Sequence, residues 1–150
     1  MKKKFTYDYP RPAVTVDIVV VTEEAKPRVL LIQRKNPPFA GYWAIPGGFV
    51  DENESLEAAA RRELFEETNV KARNLMQLHT FGDPGRDPRG HTISVVYLTR
   101  VDPAKVSLRA ADDAGEACWH SLQRPPKLAF DHAKILAYAR KKLRSCCVDE

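Results

Sequence analysis

One stretch of the chain, from Gly48 to Val70, carries most of the information about structure and chemistry; its sequence is GFVDENESLEAAARRELFEETNV. Within it, residues Ser55 to Thr68 are mainly Leu, Ala, Glu and Arg, which are good helix formers. Asp51, Glu52 and Glu54 lie before this helix or in its first turn, where the positive end of the helix dipole favours acidic side chains. The stretch therefore predicts an acidic loop that leads into a helix.

The last turns of this helix carry three carboxylates at the end where the dipole disfavours them. Glu63, Glu66 and Glu67 stand there, each at a cost of roughly 0.3–1 kcal/mol. At about 100° per residue, Glu63 and Glu67 share a stripe with Leu56, which a helix normally turns toward the core. Arg62 can balance one of the three charges but not the whole set. Divalent cations satisfy the remainder, because Mg²⁺ binds through one or two carboxylates together with substrate phosphates.

The spacing of these residues closely resembles the Nudix box. Here the pattern is Gly48, five residues, Glu54, seven residues, and then the run from Arg62 to Val70 with the sequence RELFEETNV. It departs from the family at one position, where Asn69 stands in place of glycine. This position is predicted to follow the helix in left-handed conformation, where Asn is the usual second choice after glycine.

The resemblance covers most of the chain and implies a fold and a reaction. The implied fold is α/β, a mixed α/β/α sandwich with a loop–helix–loop metal site, in one domain over residues 1–150 with the box at 48–70. The implied reaction is metal-dependent hydrolysis of a nucleoside diphosphate linked to another group, with Mg²⁺ or Mn²⁺ as cofactor. A proline fifteen positions past the box's usual glycine resembles the mark of ADP-ribose pyrophosphatases, and Pro84 stands at that distance from Asn69. We therefore expect a nucleotide-sugar substrate, cleaved to AMP (or another NMP) and a sugar phosphate.

The resemblance also assigns roles to residues of the box. The implied metal ligands are Glu63, Glu67, Glu66 and the backbone carbonyl of Gly47. Arg62 and Glu54 are expected to form a pair that orients the box.

The catalytic base stays open between a box glutamate, represented by Glu66, and an acid in the loop before the last strand. Glu116 fits the second role, because it follows Gly115 and immediately precedes a predicted strand; it is expected to act as base or as ligand of an additional metal. Asp112 and Asp113 are alternatives in the same loop.

Three arginines are candidates for contacting the substrate. Arg86 and Arg89 stand in a loop from Gly82 to His91 that is rich in turn formers. Arg34 ends a predicted strand before a Pro-Pro turn. Arginine pairs well with phosphate oxygens, although each of the three could equally be a surface charge.

Strands and one further helix are predicted outside the box. The predicted strands are Ala13–Val21, Arg28–Arg34, Trp43–Pro46, Ala72–Phe81, Thr92–Val101 and Ala117–Ser121. The closing helix is predicted over Phe130–Leu143, with Asp131 as its N-cap.

Composition limits the location and the partners. No apolar run approaches the ~20 residues of a membrane span, and the N-terminus lacks the apolar region of a secretory signal. Three cysteines, an odd number, argue against a disulfide framework and favour the cytoplasm. The net charge of +4 is concentrated in short basic termini without a nucleic-acid motif, so no nucleic-acid partner is expected.

Residues 1–12 form an N-terminal arm with three aromatic residues, Phe5, Tyr7 and Tyr9. The arm is either an edge strand packed on a partner subunit or a loosely attached terminus. A homodimer is compatible with it, and its aromatic rings are candidates for stacking on the nucleobase.

Two alternative functions stay open. The substrate could be a nucleoside triphosphate or a dinucleoside polyphosphate, or the domain could be a non-catalytic ADP-ribose sensor. Sensors of this family carry an appended DNA-binding domain, and none is expected here because the chain stops right after its closing helix.

Overall fold

The computed structural model of the protein describes residues 3–110 and 114–146. The strands in this part of the chain are β1 (Ala13–Thr22), β2 (Arg28–Arg34), β3 (Trp43–Ala44), β4 (Gly47–Phe49), β5 (Met76–Phe81), β6 (Thr92–Val101) and β7 (Ala114–Ser121). The helices are α1 (Leu56–Thr68) and α2 (His132–Ser145), and a short 3₁₀ turn covers Pro103–Lys105.

The strands form one mixed sheet that opens near its centre. β1 runs parallel to β6, β5 pairs antiparallel with the far side of β6, and β7 pairs antiparallel with β2. β1 and β2 pair where Val21 faces Val29 and then diverge. β3 continues the pairing of β2, and β4 continues that of β1. The opening brings the backbone of Gly47 and Gly48 to the middle of the sheet.

Each face of the sheet is covered by one helix, which gives the two hydrophobic cores of a sandwich. α1 buries Ala59, Ala60 and Leu64 against one face. α2 buries Ile135 and Leu136 against the other. Burying a leucine completely contributes about 1.5–3 kcal/mol, so these faces hold the helices in place. The predicted α/β/α sandwich is confirmed. Neither helix combines the length and the apolar character that a membrane span requires.

The predicted bounds of β2 and β6 are confirmed, whereas two other strands begin elsewhere. β5 starts at Met76 instead of Ala72, because the carbonyls of Ala72 and Arg73 accept hydrogen bonds from the Arg61 guanidinium of α1. β7 starts at Ala114, so Glu116 lies inside this strand and does not precede it.

The structure refines two other expectations, the N-cap of α2 and the edge-strand alternative for the arm. Asp131 occupies the N-cap position of α2 but makes no capping hydrogen bond with its side chain, because its carboxylate accepts from Arg86. The described part of the arm forms no strand, and Phe5, Tyr7 and Tyr9 are 49%, 50% and 80% exposed.

Candidate active site

A cleft of about 380 Å³ opens where β1, β4 and α1 meet. Its acidic lining residues are Asp17, Asp51, Glu63, Glu67 and Asp87. The cationic lining residues are Arg34, Lys35, Arg86 and Arg89, and the aromatic ones are Phe49 and Phe130. Acids and arginines in one cleft suit a ligand that combines bound cations with phosphate groups.

The two ends of α1 are capped as its sequence predicts. The Ser55 hydroxyl accepts a hydrogen bond from the Ala58 N–H at 3.2 Å. Asn69 adopts the left-handed conformation with φ 67°, and its N–H donates to the Phe65 carbonyl. The Asn69 side chain also donates to the Ser107 carbonyl at 2.9 Å, a bond that glycine could not form. The replacement of glycine at this position is thereby explained.

Arg62 is the centre of an ion-pair network at the mouth of the cleft. Its guanidinium donates to both oxygens of Glu54 at 2.7 and 2.9 Å, to Glu63 Oε1 at 2.7 Å, and to Glu66 Oε2 at 3.3 Å. It also donates to the Phe49 carbonyl. The predicted pair of Arg62 and Glu54 is present, and it lowers the pKa of Glu54 to about 2. Arg62 thus joins the acidic loop, β4 and α1 and orients Glu63.

The glycine pair of β4 allows the carboxylates of α1 to approach the sheet closely. A Cβ on Gly48 would lie 2.5 Å from the carboxyl carbon of Glu63, and a Cβ on Gly47 would collide with the backbone of Val16 and with Asp17. The Gly47 N–H donates to the Glu67 carboxylate. A larger residue at Gly48 would displace Glu63, and one at Gly47 would collide with β1, so both glycines are required for steric reasons.

Glu67 is a buried acid of the cleft whose ionised form is disfavoured. Burial, assisted by the nearby charges of Glu63 and Asp17, raises the pKa of Glu67 to about 9. Its Oε2 atom is buried without a hydrogen-bond partner. A buried carboxylate oxygen without a hydrogen-bond partner, next to a second carboxylate, is stabilised by a nearby positive charge.

The residues present therefore fit a divalent cation held by Glu63 and Glu67. No three acidic, histidine or cysteine side chains of the described chain converge on one point. Further ligands would have to come from the backbone, solvent or substrate, as is usual for Mg²⁺. Glu66 is set apart from this pair, since its side chain is 56% exposed and contacts Arg62.

Replacing Gly48 with alanine tests the steric requirement. We expect G48A to weaken Mn²⁺ binding by about tenfold or more, because the added methyl group displaces the Glu63 carboxylate. The matched control is G82A, since a Cβ on Gly82 meets Ile93 at an ordinary contact distance of 3.5 Å. Titration of Mn²⁺ by calorimetry measures both; equal affinities in the two variants would contradict the assignment.

The buried pair of Asp17 and His132 at the base of the cleft was not predicted from the sequence. Asp17 accepts a hydrogen bond from the Ser94 hydroxyl, and its other oxygen lies 3.9 Å from His132 Nε2. His132 Nδ1 accepts from the Ile45 N–H at 2.9 Å, which assigns the ring proton to Nε2 on the Asp17 side. The signal for Asp17 in the sequence was that it is the single charged residue in the apolar run AVTVDIVVV. His132 is buried, which is consistent with a structural role.

The burial of His132 predicts a dependence of stability on pH. Burial lowers the pKa of His132 from 6.5, so the unfolded chain takes up a proton that the folded chain refuses. The contribution of His132 to stability should therefore fall as pH drops below about 6.5. His132→Asn keeps an acceptor for the Ile45 N–H and removes the titrating group. Urea unfolding at several pH values should show a smaller loss in the variant than in the wild type; identical profiles would contradict the explanation.

The structure brings all three predicted arginines to the cleft but engages them differently. Arg86 is buried, forms two hydrogen bonds to Asp131 at 2.7 and 2.9 Å, and donates to the Thr92 carbonyl. It fastens the loop to the start of α2, so few of its N–H groups are left for a substrate. Its predicted role as a substrate ligand stays a prediction.

Arg89 and Arg34 leave more of their N–H groups for a substrate than Arg86 does. Arg89 pairs with the buried carboxylate of Asp87, and the Arg34 Nε donates to the Pro38 carbonyl at 2.8 Å. Both guanidinium groups lie beside the ring of Phe130. Asp87 was not predicted, although its position between two arginines in the loop was a usable signal.

Five predicted site residues do not line the cleft: Glu54, Arg62 and Glu66, which belong to the ion-pair network beside it, and Glu116 and Pro84. Glu116 is exposed on the edge strand β7, where its carboxylate lies 3.7 Å from Cys118 Sγ. Pro84 is exposed in the loop before β6. Asp112 and Asp113 lie outside the described residues. The proposed roles of Glu116, Pro84, Asp112 and Asp113 stay predictions.

The aromatic residues at the cleft are not those of the arm. Phe49 follows the glycine pair and is 45% exposed, and Phe130 precedes α2. The three aromatic residues of the arm do not line the cleft. Phe49 and Phe130 come together only through the tertiary fold, so the local sequence carried no signal for them.

Comparison with known proteins identifies the class to which this fold and site belong. The NUDIX domain family matches residues 11–139. An ADP-ribose pyrophosphatase from Methanocaldococcus jannaschii is 46% identical over 128 residues, which are 85% of this chain and 73% of that protein. The chain belongs to the Nudix family, as its box indicated.

Two solved structures resemble this one closely. A MutT/nudix family protein from Enterococcus faecalis has a TM-score of 0.83 at 36% identity, over 95% of this chain and 66% of that one. The NUDIX domain of Shewanella oneidensis NrtR, solved with ADP ribose, has a TM-score of 0.81 at 36% identity, over 91% of this chain and 94% of that one. These matches confirm the predicted fold.

Proposed function

We propose that this protein hydrolyses the pyrophosphate bond of ADP-ribose or a related nucleoside diphosphate sugar, using Mg²⁺ or Mn²⁺. The products would be AMP (or another NMP) and a sugar phosphate. The observation that carries the proposal is the pair of Glu63 and Glu67 against the glycines of β4, with a buried carboxylate oxygen that lacks a partner. An ADP-ribose pyrophosphatase among the relatives and a neighbour solved with ADP ribose support the substrate.

The residues of the site have separate proposed roles in binding the cation and the diphosphate. Glu63 and Glu67 would hold the cation, which when bound polarises the phosphate oxygens and lowers the pKa of a coordinated water. Arg62 holds the Glu63 carboxylate in place by a hydrogen bond at 2.7 Å. Arg34 and Arg89 supply positive charge for the diphosphate in the same cleft.

The base that accepts the proton of the attacking water has two candidates. Glu66 is exposed on α1 and Glu116 is exposed on β7, and neither side chain lines the cleft. Comparing kcat of E66Q and E116Q with the wild type separates them, because loss of a base lowers kcat by about 10²–10⁴-fold.

Turnover of a substrate panel tests the proposal. We expect release of AMP and ribose 5-phosphate from ADP-ribose with Mg²⁺, and little product from ATP or a dinucleoside polyphosphate. Glu67→Gln should lower turnover by orders of magnitude while Tm stays the same or rises, because the neutral amide avoids the cost of burying an ionisable carboxyl group. The matched control is Glu57→Gln, an exposed acid on the same helix. Full activity in E67Q would rule out the metal-binding pair.

A second candidate function is ADP-ribose sensing without catalysis. A transcriptional repressor from Acinetobacter baylyi that responds to ADPR is 36% identical over 143 residues, and this chain spans 57% of its length. The complete set of box carboxylates supports catalysis over sensing. Binding of ADP-ribose with metal present and no product formation would favour the sensor.

We also propose a cytoplasmic homodimer with a nucleotide sugar, and no nucleic acid, as its ligand. The exposed aromatic residues of the arm, Phe5, Tyr7 and Tyr9, offer a surface for a second subunit. Light scattering coupled to size exclusion should give twice the mass of the chain; a monomer mass would contradict the dimer.

A further inference from the structure

Phe130 stands where two cationic side chains of the cleft meet. The guanidinium carbon of Arg34 lies 5.0 Å from the centroid of its ring, and that of Arg89 lies 5.1 Å from the same centroid. Phe39 packs on Phe130 with a centroid distance of 4.9 Å. Arg89 also lies 5.1 Å from the ring of Phe49. One aromatic ring thus contacts two arginines that come from distant parts of the chain.

The backbone of Phe130 is held in an unusual conformation. Its φ is +50°, which a bulky residue rarely adopts, and its neighbours hold it there. The Ala129 N–H donates to the Trp43 carbonyl at 2.7 Å, and Asp131 is bound to Arg86. Strained residues that are fixed from both sides concentrate at functional sites. In this conformation the ring of Phe130 lines the cleft.

The two arginines repel each other and are only partly neutralised. Burial and the charge of Arg89 lower the pKa of Arg34, while Glu67 and Asp87 oppose the effect. Arg89 has Asp87 as a partner, whereas Arg34 has no carboxylate within ion-pair distance in the described part of the chain. Two cations held beside one ring with one counter-ion leave positive charge for an anionic ligand.

We propose that Phe130 is a positioning residue that holds the guanidinium groups of Arg34 and Arg89 for the diphosphate of the substrate. The ring does not itself contact the phosphates. It limits the orientations of both side chains through cation–π contact, so that less freedom is lost when the ligand binds. The inference rests on the proposed function in taking the ligand to be a diphosphate.

Binding of inorganic pyrophosphate in the presence of EDTA tests the inference without turnover. We expect Phe130→Leu to bind pyrophosphate about tenfold more weakly than the wild type, and Phe130→Tyr to bind within about twofold, because tyrosine keeps the ring. Phe130→Asn is a second variant, since Asn tolerates positive φ. It should keep or raise Tm and still lose affinity, which a merely structural role of the ring would not produce.

The outcomes separate the inference from the proposed function. With ADP-ribose, F130L should raise KM about tenfold and change kcat less than about threefold, and F130Y should restore KM. If the wild type does not cleave ADP-ribose, the proposed function fails while the pyrophosphate titrations still decide the role of Phe130. Undetectable pyrophosphate binding by the wild type, equal affinities of F130L and the wild type, or equal losses in F130L and F130Y would overturn the inference.

Discussion

The structure depends on the contact between the carboxylates of α1 and the backbone of Gly47 and Gly48. A helix that presents acids to the middle of a sheet is unfavourable in itself, because the charges lose water and repel each other. The absence of a side chain at Gly48 makes the approach of Glu63 sterically possible, and the absence of one at Gly47 lets β4 lie against β1. Arg62 makes it electrostatically tolerable for Glu63, and Glu67 retains the unpaired oxygen. The buried oxygen of Glu67 therefore lacks a partner, and a bound cation would supply one.

The cationic side of the cleft differs from the acidic side, because most of its charges already have partners. Its arginines are supported in advance, Arg86 by Asp131 and Arg89 by Asp87. The first pair anchors the loop before β6 to the start of α2, and the second lies within that loop. Arg34 is the exception among the three, and it is also the one whose pKa burial lowers. A ligand with adjacent negative phosphates can satisfy both halves together, with the cation between the acids and the phosphates.

The box helix and the carboxylates that share its inward face were predictable because they depend on local sequence, whereas the pair of Arg62 and Glu54, eight residues apart, was expected only from the family resemblance. Residues at i, i+3 and i+4 of a helix are neighbours whatever the rest of the chain does. Glu116 shows the limit of such reasoning. Whether it precedes a strand or lies inside it depends on the pairing of β7 with β2, which includes an irregularity near Arg34. No pattern within β7 specifies that register.

The sequence by itself determined the family, because the spacing of the box is a short-range feature, and with it the α/β/α sandwich; it also supplied Glu63 and Glu67 as the proposed metal ligands. Only the tertiary structure decided the composition of the rest of the cleft. It placed Asp17 beneath the metal-binding pair, and it joined Phe130 to Arg34 across most of the chain length. The physical reason is that these contacts depend on where β1 and β2 diverge and on how α2 packs, and such long-range geometry leaves no periodic trace in the residues that it brings together.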